Sequence, residues 1–285
     1  MHAARRVRED AAFRLPRRGV NAHSDWLIPD WRAPGVGALM TTRLGGSSLA
    51  PFDSMNLRAE VGDDPGAVAR NQASFAQVIG VKPVYLNQVH GARVVRITDA
   101  DAAVGAAIHE ADAAVTNAPG IACAVQVADC LPVLFAATNG LAVAAAHAGW
   151  RGLALGVLEA ALQEVCTTAG CAAEEVQVWL GACIGPRRFE VGADVLRAFG
   201  VDSEAASSAN AADARRFRPH GPGKWLANLP LLAQDRLRAA GVRTISGGSW
   251  CTVEAPSRFF SFRRDRVTGR MAAAVWIGGR GVDKL

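Results

Sequence analysis

No stretch of this 285-residue sequence stays apolar over the roughly 18 residues that a membrane crossing needs. A membrane-spanning protein is therefore not expected. Arginines crowd the start, in MHAARRVRED and RLPRRG, but no apolar core accompanies them, so this is not a secretory signal. Glu9 and Asp10 argue against an organelle transit peptide. These absences together point to a soluble, cytoplasmic protein. The six cysteines, Cys123, Cys130, Cys166, Cys171, Cys183 and Cys251, include no C-x-x-C pair. In a reducing compartment most of them are expected to be inert core thiols. No internal repeat is visible, and no change of composition marks a linker. The charge imbalance is small, +5 with a pI near 9.1, which favours anionic ligands but does not point to nucleic acid.

Half of the residues are hydrophobic, enough for a substantial core. We expect a basic N-terminal tail and lead-in over residues 1–30 and a single α/β domain over 31–285. VGALMTT reads as a strand, and the loop RLGGSSLAPFDSMN follows it. DDPGAVARNQASFAQVIG reads as a helix, with Asp64 at the N-cap, Pro65 at N1 and Gly80 at the C-cap. PVYLNQVHG reads as a short strand ending at His90; ARVVRIT, DAAVTN, IACAVQVAD, LPVLFAA and LAVAAAHAG are further strands. GLALGVLEAALQEVCTTAG has the spacing of one helix. VQVWLGACIG, TISGGSWCT and MAAAVWIG read as strands, and VGADVLRAFG and NLPLLAQDRLRAAG as helices. The polar segment from Ser203 to Lys224 is expected to be a long surface loop, and FRRDRVTGR a hairpin turn with Thr-Gly at its tip. The pattern describes mixed sheets buried beneath helices.

His90, Cys130 and His147 share a context, each just after an apolar run and followed closely by Gly or Pro. Two imidazoles and a thiolate with a vacant fourth position are the ligand set of a catalytic zinc site. Two other readings fit the same residues. Cys130 is a nucleophile if His147 is its base and Asp129 or Asn87 orients that base. A blue-copper centre also takes two His and one Cys. A multicopper oxidase needs further histidines, and only His2, His23, His109 and His220 remain, dispersed along the chain. The H-x-E and P-C-x-x-C motifs of the usual zinc deaminases are absent.

TTRLGGSS, FDSMNL, VGDDPGAVARNQ, LNQVHG, ADCLPVLF, AAAHAGWRG, WLGACIGPRRFEVG and RFFSFRRDRVTGRMAAAVW follow one another in this order. Together they resemble the YfiH-type purine nucleoside phosphorylases, also described as a polyphenol oxidase or laccase-domain family. The resemblance runs from about Val36 to Ile277. It implies a layered α/β/β/α sandwich with mixed sheets in a single domain. It implies zinc, with copper as the second metal, held by the catalytic residues His90, Cys130 and His147. The implied reactions are phosphorolysis of adenosine, inosine and S-methyl-5′-thioadenosine, together with adenosine deamination. Copper-dependent phenol oxidation and thiol hydrolysis by Cys130 stand as alternatives. The expected partners are purine nucleosides and phosphate, with no nucleic acid and no membrane, and the expected state is a monomer. Arg43, at the head of the glycine-rich loop, is the candidate phosphate contact. Trp150 is a candidate wall or stacking surface for the base, and Arg263 a candidate contact to ligand phosphate. Where the family reads Asn-Arg, this chain has Asn71-Gln72.

Overall fold

The computed structural model describes residues 22–203 and 214–278. Residues 1–21 of the expected tail lie outside the described residues. The lead-in after them pairs with the domain, through Leu27 bridged to Met40.

Two sheets form the centre. The first is four-stranded. It contains β1 (Val36–Met40), β2 (Lys82–Val84), β5 (Ile121–Val127) and β13 (Met271–Ile277), in the order β1-β13-β5-β2. The second is six-stranded. It contains β3 (Val94–Arg96), β4 (Ala113–Thr116), β6 (Leu131–Ala137), β7 (Val143–Ala148), β8 (Val176–Leu180) and β12 (Thr244–Gly247). Its order is β12-β8-β6-β7-β4-β3. Both sheets mix parallel and antiparallel pairs.

The layers follow from the two-residue period of a strand. On β7, Val143 and Ala145 face the first sheet's Ala38, Val125 and Ala273 in one core. Ala144 and Ala146 point the other way, into a core with Leu158, Ala161 and Val165. Those three belong to α3 (Val157–Ala169). The outer face of the first sheet, through Leu39, Ala124 and Ala274, meets Phe75 and Ile79 of α1 (Pro65–Ile79). The result is the α/β/β/α sandwich. Because the middle strands are covered on both faces, they read as continuous apolar runs instead of alternating ones. Among the described residues no helix is long and apolar enough to cross a membrane.

The ends of α1 are those expected. The Asp64 carboxylate accepts from the Gly66 and Ala67 N–H groups, and Gly80 closes the helix at φ 71°. Three expectations change. The helix after Gly149 is two, α2 (Trp150–Ala154) and α3, because Gly156 adopts φ 94° and a left-handed residue cannot continue an α-helix. The segment from Ser203 to Lys224 is not all loop. Residues 204–213 lie outside the described residues, and beyond them β10 (Phe217–Pro219) pairs antiparallel with β11 (Trp225–Ala227), burying Phe217. β11 in turn pairs with β9 (Glu190–Val191). Near it lie α4 (Ala193–Ala198) and α5 (Leu229–Ala239), the latter capped by the Asn228 side chain as expected. FRRDRVTGR is not a hairpin: Phe262–Asp265 form the short helix α6, capped by the Ser261 hydroxyl, and the chain leaves it through Arg266 at φ 62°.

Candidate active site

His147 is the fifth residue of β7, on the inter-sheet side by the same period as Val143 and Ala145, and it is buried. Cys130 closes the turn Ala128–Cys130 between β5 and β6 and is half-buried. His90 is exposed and does not end a strand: β2 stops at Val84, and His90 stands in the following loop at φ 63°. A non-glycine residue in that region needs outside support.

Asp112 supplies it. This carboxylate is fully buried. Its Oδ2 accepts from the Val89 N–H at 3.2 Å and the Gly91 N–H at 2.6 Å. Its Oδ1 accepts from the His90 N–H at 2.9 Å and faces His147 Nδ1 at 2.8 Å. One side chain therefore fixes the loop that carries His90 and the ring of His147. An acceptor at Nδ1 holds the proton there and leaves Nε2 for the cavity. Burial alone would raise the Asp112 carboxyl; the hydrogen bonds from His147 and the Gly91 N–H outweigh it and hold the group below its ordinary value.

The ligand atoms of His90, Cys130 and His147 lie within 4.8 Å of one another. Cys130 Sγ is 3.6 Å from His90 Nε2, and the two imidazole rings meet edge to face at 4.8 Å. With zinc–sulfur and zinc–nitrogen bonds of about 2.3 and 2.0–2.1 Å, tetrahedral ligands stand about 3.5 Å apart. The donor set thus fits a tetrahedral metal with one position left for a substrate atom. Burial pushes the Cys130 thiol up, but the charge of His147 and the hydrogen bonds of both histidines bring it down to about 6. Burial would lower His147, and the charge of Cys130 with the Asp112 hydrogen bond raises it. Without metal the pair thus favours a Cys130 thiolate beside a protonated His147, and a metal held by Sγ and Nε2 would displace that shared proton.

Gly149 is required for space, not for its backbone angle. A Cβ there would stand 2.8 Å from His90 Cδ2 and 3.0 Å from Cys130 Sγ. At Gly152 a Cβ would meet the Gly91 carbonyl at 2.6 Å. Gly149→Ala is expected to displace one ligand and cut kcat/KM about a hundredfold, as misplacement near 1 Å does. Metal content and activity measured on the same preparation check this; a variant with full activity would contradict it.

These three side chains open on a cavity of about 480 Å³, within the range of small-molecule pockets. Trp150, Phe189 and Phe262 give it aromatic walls, and Arg58, Arg263 and Arg270 bring positive charge. Trp150 is half-buried; it packs against the helix-side core and lines the cavity at the same time, with the Arg151 guanidinium 4.4 Å from its ring. Arg263 lines the cavity, and its side chain donates to the Glu190 carbonyl at 3.1 Å. Asp129, at φ 97°, accepts from the Thr252 hydroxyl and from the Arg263 N–H, both at 2.6 Å.

Arg43 is not among the cavity's lining residues. Its guanidinium donates to the Asp53 carbonyl at 2.8 Å, the Asp53 carboxylate at 3.0 Å and the Pro256 carbonyl at 2.9 Å. The glycine-rich loop is thus tied to its own far end. Arg43→Ala is expected to lower stability by about 1–3 kcal/mol, the loss of a charge-assisted contact. Denaturant unfolding measures this, and an unchanged midpoint with a raised KM for phosphate would reverse the assignment.

Gln72 donates to the Leu57 carbonyl at 2.9 Å, and Gln126 to the same carbonyl at 2.6 Å. Leu57 N–H donates to the Arg270 carbonyl at 3.1 Å. Gln72 therefore supports the cavity wall beside Arg58 and Arg270, the two arginines that sequence reasoning missed.

Residues 37–278 match the family described as multi-copper polyphenol oxidoreductase laccase. The chain is 47% identical over 253 residues to a Pseudomonas aeruginosa protein named purine nucleoside phosphorylase PA4543, covering 88% of this chain and 98% of that protein. It is 46% identical over 261 residues to purine nucleoside phosphorylase YfiH of Escherichia coli, covering 89% and 99% of the two chains. Among solved structures, Neisseria meningitidis NMB0706 superposes with a TM-score of 0.80 at 44% identity, over 90% of this chain and 100% of that one. YlmD of Geobacillus stearothermophilus does so with a TM-score of 0.78 at 31% identity, over 86% and 93%. On sequence and fold alike, this chain belongs to the multi-copper polyphenol oxidoreductase laccase family.

Proposed function

We propose that this chain is a metal-dependent purine nucleoside phosphorylase that takes adenosine, inosine and S-methyl-5′-thioadenosine, deaminates adenosine as a second reaction, and works as a cytoplasmic monomer. The observation that carries the reading is the grouping of His90, Cys130 and His147 at the mouth of a nucleoside-sized, aromatic-walled, basic cavity. The names of the relatives agree with it. His90 and His147 through their imidazoles and Cys130 through its thiolate would hold the metal, zinc by preference. When bound, the ion supplies Lewis-acid polarisation of an oxygen. The aromatic walls take the purine face, and the arginines take the anion. Asp112 holds both histidines in place, and Asp129 holds α6 against the cavity.

The family's description suggests copper oxidation as a rival. That chemistry needs several metal sites. Among the described residues only His90, Cys130 and His147 form such a group; His109 is engaged by Asp101 at 2.6 Å, and His220 lies 3.7 Å from Glu190. A thiol hydrolase is the second reading, favoured by the Asp112–His147–Cys130 arrangement, which has the order of a nucleophile, its base and an orienting carboxylate.

Incubation of adenosine with phosphate separates these readings. Adenine and ribose 1-phosphate should appear in equal amounts, only when phosphate is present, and ammonia release reports deamination. Phosphate-independent turnover would contradict the phosphorylase reading. Iodoacetamide should label Cys130 slowly in the metal-loaded protein and fast after chelation. Fast labelling of metal-loaded, active protein would favour the hydrolase.

A further inference from the structure

We propose that Arg58 and Arg270 form the subsite for inorganic phosphate, on the cavity wall beside the His90–Cys130–His147 group. The proposal rests on the phosphorolytic reading above.

Both arginines line the cavity, and one buried residue places them. Asn56 is fully buried, and its Oδ1 accepts from the Arg58 N–H at 3.1 Å and from the Arg270 N–H at 2.9 Å. Two positions far apart in the chain are thereby held on one carbonyl oxygen. Its Nδ2 donates to the Arg58 carbonyl at 3.0 Å and to Asp63 Oδ2 at 2.9 Å. This fixes the backbone from which both guanidiniums extend.

Their charges lack partners of equal strength. Among the described residues Arg270 forms no ion pair; its guanidinium donates to the Thr268 and Gly269 carbonyls at 2.9 and 3.1 Å. Arg58 meets Glu60 at 3.3 Å, a carboxylate that is 69% exposed, and such surface pairs contribute little. Burial first, and the charge of Arg58 second, pull the Arg270 guanidinium below its ordinary value, so each cation is felt by the other. Holding two cations together in a half-buried wall is unfavourable unless an anion shares them. A phosphate dianion matches both the charge and the fork geometry of two guanidiniums.

The reaction fits this placement. The C1′–N9 bond breaks with its electron pair going to the purine. An oxygen of HPO₄²⁻ forms the new bond to C1′, and the proton carried by phosphate ends on the purine. The balance requires no further reactant.

Calorimetric titration of the protein with inorganic phosphate, sulfate and adenosine 5′-phosphate tests the subsite. Phosphate should bind wild type saturably, and Arg270→Gln and Arg58→Gln should each weaken it about ten- to a hundredfold, the range for a charge-assisted contact. Cys130→Ala should still bind phosphate, because the arginines and not the metal receive it. Sulfate should compete. If both arginine variants bind like wild type, or if binding disappears in Cys130→Ala alone, the subsite is overturned. It is also overturned if adenosine 5′-phosphate binds through these arginines while inorganic phosphate does not. Arg58→Gln keeps the test intact should Arg270→Gln fail to fold, as judged by circular dichroism. Failure of the phosphorylase reading looks different: wild type would then make no ribose 1-phosphate, whatever the arginines bind. Failure of the subsite alone would leave ribose 1-phosphate formation with an unchanged KM for phosphate in both variants.

Discussion

Cys130→Ala is expected to abolish metal retention and phosphorolysis while leaving the fold intact. The thiol is the one anionic donor among the three ligands, and the charge it supplies is what most distinguishes this site from two neutral imidazoles. Loss of a group that only orients a ligand costs about 10–100-fold in affinity or activity. Loss of a ligand should therefore exceed about a hundredfold by that standard. The fold should survive because Cys130 sits in a turn, half-buried, and not in the interior of either sheet. Metal analysis after purification without added metal, with unfolding and activity measured on the same sample, decides the matter. A Cys130→Ala protein with stoichiometric metal and wild-type turnover would sink the assignment of the centre.

The parts of the molecule legible in the sequence are those whose cause is local. Asp64, Pro65 and Gly80 announce both ends of α1 because the groups that satisfy a helix terminus lie within a few residues of it. The apolar runs of β5, β6 and β7 announce buried strands, since both faces are covered. Gly156 was not legible as a break, because an isolated glycine also occurs inside helices and its φ of 94° is set by the folded chain. The four residues of α6 are too few for any period to show. In the site, His90, Cys130 and His147, which the fold brings together, were legible as a candidate group from their residue types and their glycine or proline neighbours. What holds them was not. Asp112 reads as the polar residue ahead of AAVT, yet its partners lie 21 to 35 positions away. One signal was present: an acidic residue entering a wholly buried strand must find hydrogen-bond donors. Arg43 shows the reverse case. A glycine-rich loop headed by arginine resembles an anion cradle, and the acceptor that satisfies it, Asp53, is only ten residues on. Arg58 and Arg270 meet through Asn56, a contact spanning 214 positions to Arg270, which no local pattern encodes.

Asp112→Asn should then be as damaging to the metal centre as its small change of shape is slight. The carboxylate uses both oxygens as acceptors. Oδ1 serves His90 N–H and His147 Nδ1, and Oδ2 serves the N–H groups of Val89 and Gly91. An amide offers one acceptor and one donor in the same place. If its NH₂ faces His147, Nδ1 must become the acceptor, the ring proton moves to Nε2, and the nitrogen that faces the cavity can no longer ligate. If its NH₂ faces the loop, two backbone donors meet a donor, and the left-handed conformation of His90 loses its support. In either orientation the hold on one of the two histidines is weakened. Metal affinity and activity are expected to fall about 10–100-fold, with a stability loss of about 1–3 kcal/mol for each donor left unsatisfied. Competition for the metal with a chelator of known affinity measures the first effect, and denaturant unfolding of the metal-free protein measures the second. Added metal should restore part of the activity, because the ligands remain and only their arrangement is weakened; a purely structural defect would not respond. Wild-type metal affinity in Asp112→Asn would show that the loop and the strand hold their histidines without the carboxylate, and the positioning role would then pass to the packing of Gly149 against the His90 ring and Cys130 and of Gly152 against the Gly91 backbone.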